Sequence, residues 1–166
     1  MGYISTNDQQ SLGERYLMTA LIIVVLGFSS LICLLAPMFF RVKPQLVETV
    51  NWTNFLYTIA LLMGLAVVLI RRVLLSRVML GGAARQGSNA VLARLSVTSI
   101  VCGVLGEMVG ILGLVGYLVT GESFGWPVGI ISILLIIYSF PRKREWIRSL
   151  ENTEAPSPVD SGSAIL

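Results

Sequence analysis

Four long apolar runs, at 16–40, 54–70, 95–119 and 126–140, contain between them a single charged side chain, Glu107. Roughly 17 to 25 such residues in a helix cross a hydrocarbon layer about 30 Å thick. The expected fold is therefore all-α: a polytopic membrane protein with four transmembrane helices in two hairpins. Spans are expected at about 16–40, 54–75, 95–119 and 126–140, within a membrane domain covering 1–150. The last run is the shortest and needs help from Phe124, from local thinning of the bilayer or from snorkelling flanks. Residues 151–166 are rich in Ser, Pro and acidic side chains and can bury little, so a disordered cytoplasmic tail is expected there.

Composition excludes most other classes. With 55% hydrophobic and 13% charged residues, the chain is far from a soluble domain, where about a quarter are charged. Met1 to Glu14 has no Lys or Arg, and the apolar run that follows is too long for the core of a secretory signal, so the first span is expected to be retained. Cys33 and Cys102 fall inside the expected spans and read as small buried hydrophobes. Absence of His removes the common zinc sites, His-ligated haem and any His-based shuttle. No phosphate loop with Lys, no paired carboxylates and no Ser or Cys beside a base are present, so the chain does not read as an enzyme.

Basic residues decide the expected orientation, because the cytoplasmic side of a membrane protein carries an excess of Lys and Arg. One side holds ten: Arg15, Arg71, Arg72, Arg77, Arg85, Arg94, Arg142, Lys143, Arg144 and Arg148. The other holds Arg41 and Lys43. Both termini and the middle loop are thus expected in the cytoplasm, in an inner or plasma membrane. The clusters begin where apolar runs end, which reads as stop-transfer charge in preference to a site for an anionic head group or nucleic acid. Trp52, Trp126 and Trp146 read as interfacial belts.

The third run carries a second pattern. Ser96, Ser99, Gly103, Gly106, Gly110 and Gly113 recur at intervals of 3 and 4, which keeps them on one stripe of a helix. Lipid tails supply no hydrophobic drive between helices, so such a small-residue stripe marks where another backbone approaches closely. The third helix is therefore expected to be buried in a protein interface, either within the chain or with a partner through self-association or a larger membrane complex.

Glu107 borders that stripe midway between Leu95 and Val119. Insertion scales put the related Asp at about 2.5 to 3.5 kcal/mol at a helix centre. No Lys or Arg shares the apolar core. The protonated form, able to donate a hydrogen bond, is favoured there. Candidate neighbours are Tyr57, Thr58, Ser29, Ser30 and Ser132. Two readings follow: a site for H⁺ or Na⁺, or a hydrogen-bonded anchor between helices, of the kind worth on the order of 0.6 kcal/mol.

Ala84-Arg85-Gln86-Gly87 lies in the loop placed inside by charge, ahead of Leu105-Gly106-Glu107 and Gly113-Leu114-Val115. On these motifs residues 55–119 resemble the proteolipid c subunit of rotary ATP synthases, which joins two membrane helices by a cytoplasmic Ala-Arg-Gln-Pro loop. The resemblance implies that Glu107 is the ion-binding carboxyl and that Arg85 and Gln86 meet a rotor stalk. The other reading is a non-catalytic accessory subunit held in a larger complex by the glycine seam.

Overall fold

The structure, a computed structural model, describes residues 6–39, 49–76, 82–83, 86–120 and 125–154. Five helices account for most of them: α1 (Thr6–Phe39), α2 (Thr49–Leu74), α3 (Ser88–Thr120), α4 (Gly125–Ser139) and α5 (Lys143–Glu154). No strand occurs among the described residues. Four stretches are long and apolar enough to cross a membrane: Gln10–Phe39, Asn54–Leu74, Ser88–Val119 and Gly125–Leu150. Arg41, Lys43, Arg77, Arg85, Phe124 and residues 155–166 lie outside the described residues, while 151–154 close α5.

Chain chemistry explains the boundaries. Pro127 sits in the first turn of α4, where a missing N–H has no helical partner to lose. At the other end Pro141 cannot continue the ladder, so α4 stops in a tight turn from Phe140 N to the Ile137 carbonyl at 3.2 Å. The Arg142 carbonyl then accepts from the backbone of Glu145 and Trp146 and starts α5. Before α3, Gly87 takes φ +105°, a conformation that side-chain-bearing residues rarely adopt and proline cannot.

α3 is the axis of the bundle, packing against α1, α2, α4 and α5. It runs parallel to α1 in a fixed register. A Cβ on Gly103 would meet Ile23, one on Gly110 would meet Ser30, and Tyr117 donates its hydroxyl to the Pro37 carbonyl at 3.3 Å. α4 runs antiparallel to both: Gly106 faces Leu135 and Ile136, Gly113 faces Val128, and Gly129 faces Leu34. α2 completes the set through a buried cluster of Ala60, Val67, Cys102, Val109, Val128 and Leu135. The first helix therefore packs on the third and fourth. Its outer face, including Leu17, Leu21, Val25, Phe28 and Ile32, stays exposed.

A second cluster closes one end. Leu12, Ala83, Val91, Leu92, Leu95, Trp146 and Leu150 form it, with Tyr16 meeting Trp146 edge to face at a centroid distance of 5.8 Å. Trp146, expected at head-group level, is turned into this cap and is 2% exposed. The contact brings the start of α1 and the C-terminal helix to the same end of the bundle.

Candidate functional site

The small residues of α3 divide between two neighbours. Ser96 bonds to Thr19 of α1 at 2.6 Å, and Gly103 continues that face one heptad on. Gly106 and Gly113 face α4. Gly110 lies where both neighbours meet: a Cβ there would come within 2.7 Å of Ser30 Oγ and 2.8 Å of Ser132 Oγ. Ser99 is half-buried.

Those two serines form a buried polar chain. Ser132 donates to the Gly106 carbonyl at 2.7 Å, which uses its one proton. Ser30, 2.5 Å away, must then donate to Ser132. Three helices are linked by two hydrogen bonds, and Gly110 makes the room. Ser30 and Ser132 were expected around Glu107, but the interhelical register pairs them with each other. Thr58 bonds back to the Asn54 carbonyl of its own helix at 2.9 Å and is exposed, as is Tyr57.

Glu107 stands at the border between this packed face and the exposed apolar stripe of Val104, Met108 and Ile111. Each step of four residues turns about 40° around the helix, so Glu107 lies between Gly103 on one side and Ile111 on the other. Its side chain is half-buried and lies near the Cys33 thiol of α1. Among the described residues none makes a hydrogen bond or ion pair with its carboxyl. Pro37, one turn beyond Cys33, lacks the N–H that would serve the Cys33 carbonyl, so this part of α1 carries an acceptor without its usual helical donor.

Gln86 is exposed in the turn before α3, its backbone N–H bonded to the Ala83 carbonyl at 3.0 Å. Arg85 lies outside the described residues. No group of three or more His, Cys, Asp or Glu side chains able to hold a metal occurs among the described residues.

A further polar site, unforeseen from the sequence, lies at the capped end. Arg71 at the end of α2 is 9% exposed, with its guanidinium 4.5 Å from the centroid of the Tyr138 ring and Nη2 3.8 Å from Glu145 Oε2. Arg71 was read as a stop-transfer charge because hydropathy sees where a run ends and is blind to a ring and a carboxylate some 70 residues later. Compared with protein-family models, curated proteins and solved structures, the chain matches none.

Proposed function

We propose that this is a small membrane subunit that binds a proton at Glu107 in the middle of the bilayer. One observation carries the reading: a carboxyl half-way along the central span is half-exposed and has no hydrogen-bond or ion-pair partner among the described residues. A group that only pins spans together has to be bonded to the span it pins. Here the pinning is done by Ser30 and Ser132. Glu107 is left unbonded at the border of α1 and α3, where water or a partner's polar group could reach it.

H⁺ is favoured over Na⁺ by the neighbours. A hard cation needs several oxygen ligands at once. Of the hydroxyls expected to serve, Ser30 and Ser132 are already bonded to each other and to the Gly106 carbonyl, and Thr58 is bonded to the Asn54 carbonyl of its own helix. The resemblance to a c-type proteolipid agrees with a proton carboxyl on the third span. The left-handed Gly87 backbone stands where that family has proline, so the loop geometry gives the likeness no support.

The second reading, an accessory subunit of a larger membrane complex, is favoured by the same unpartnered carboxyl, which a partner helix could engage. Such a partner would meet the border carrying Glu107 and Met108, because Gly103, Gly106, Gly110 and Gly113 are filled by α1 and α4 of this chain. Carbodiimide labelling of the reconstituted full-length protein separates the readings, since the reagent attacks the protonated acid. Labelling at Glu107 that fades as pH rises, and disappears in Glu107→Gln with the fold intact, is the expected outcome. No reaction in the membrane, with full reaction after denaturation in SDS, would remove proton exchange and leave the accessory role.

A further inference from the structure

At the capped end of the bundle, α2, α4 and α5 enclose a cleft of about 670 Å³ lined by Arg71, Arg72, Arg142 and Arg148, with Tyr138 and Glu145 among its walls. Four arginines from two segments far apart in sequence thus line one space, with Glu145 as the acidic residue among them. Arg71 is the innermost. Tyr138 stacks against its guanidinium, its Nη1 is buried with no hydrogen-bond partner, and its contact with Glu145 is a loose 3.8 Å. Glu145 also reaches Arg142, at 3.5 Å, and its side chain remains half-exposed. Neither contact is the short bond of about 2.7 to 2.9 Å that a well-seated guanidinium and carboxylate make. A charged donor left buried and unbonded is more costly than a neutral one.

We propose that this cleft binds a phosphate group, held by Arg71 with Arg72, Arg142 and Arg148, and that the Glu145 carboxylate competes for the same guanidinium groups. A phosphate suits the site better than the carboxylate does. It presents three or four acceptor oxygens in a tetrahedron, so several forks can bond it at once, whereas Glu145 is tethered to α5 and reaches two arginines at long range. The ring of Tyr138 fixes the Arg71 plane in advance, which lowers the ordering cost of binding. The cleft also lies at the ends of two spans, the level at which lipid phosphates sit and where basic pockets between helices take anionic head groups. The bound phosphate can come from such a lipid or from solution.

Purified full-length protein in detergent is titrated with short-chain phosphatidic acid, with inorganic phosphate and with phosphatidylcholine, following bound mass by native mass spectrometry and melting temperature in parallel. Saturable binding of phosphatidic acid with a raised Tm, and little response to phosphatidylcholine, is expected. A comparable rise with inorganic phosphate assigns the site to a soluble phosphate; a rise with the lipid alone assigns it to a head group. Arg71→Met should weaken binding about tenfold, and Glu145→Gln should strengthen it about threefold. Because Arg71 is buried, the pair Arg142→Gln and Arg148→Gln, both exposed and able to change without loss of packing, gives an independent arm with the same expected weakening. Binding untouched by the exposed pair, weakened by Glu145→Gln, or absent for both phosphate probes would overturn the proposal.

Discussion

At the scale of single residues, the close approach of helices is concentrated at Gly110. The two atoms a new Cβ would strike are hydroxyl oxygens locked in a chain to the Gly106 carbonyl, and neither can swing aside without breaking a buried bond. Gly110→Ala should therefore destabilise the bundle by about 1 to 3 kcal/mol, the range for overpacking. Gly64 is the control: its Cβ would make an ordinary 3.6 Å contact with Leu135, so Gly64→Ala should be neutral or gain up to about 1 kcal/mol of helix propensity. Reversible unfolding by SDS in mixed micelles checks both, and equal effects would mean that the Gly110 approach is not tight. The spacing of the small residues announced that α3 would have close neighbours. It could not assign Gly103 to α1 and Gly106 to α4, because a stripe of 3.5-residue period is wide enough to be shared by two helices. Nor could it pair Ser30 with Ser132, a match fixed only by the registers of α1 and α4 on α3.

Helix lengths follow a different logic from hydropathy. The apolar runs begin at 16 and 95, yet α1 starts at Thr6 and α3 at Ser88, because hydropathy marks where oil ends and a helix ends only where its backbone loses partners. At 34 and 33 residues these helices are about 50 Å long, well beyond a core of about 30 Å. Their overhang is what Leu12, Val91, Leu92, Leu95, Trp146 and Leu150 cover. α5 is the lid of that cap, with Trp146 and Leu150 inward and Lys143, Arg144 and Arg148 outward or toward the cleft. The sequence marked Trp146 as interfacial but offered no means of telling a ring in head groups from one against Tyr16. Trp146→Ala should cost about 3 to 5 kcal/mol, the usual toll for deleting a buried aromatic side chain. Loss of hydrogen-exchange protection across α5 and new tryptic cleavage at Arg144 or Arg148, with span helicity intact by circular dichroism, is the expected signature. Unchanged protection would mean that α5 is held by its ion pairs and not by the ring.

For the whole molecule, α1 and α3 run one way and α2 and α4 the other, so the start of α1 and the C-terminal helix share one end. Arg15, Arg71, Arg72, Arg94, Arg142, Lys143, Arg144 and Arg148 gather at that end too, and the charge asymmetry of the sequence predicts that it faces the cytoplasm. The prediction can be checked in a Cys33→Ala, Cys102→Ala background, where both native thiols are gone. Gln45→Cys, in the segment between α1 and α2, should react with an impermeant maleimide on intact cells. Ser157→Cys, beyond α5, should react only after the membrane is opened. The reverse pattern would leave the helix packing and the Arg71 cleft as they are, since both are internal to the chain. It would move the Gln86 turn away from the side on which a cytoplasmic stalk could meet it, and would take the c-type likeness out of consideration, while the proton site proposed at Glu107 would need its access from the other face.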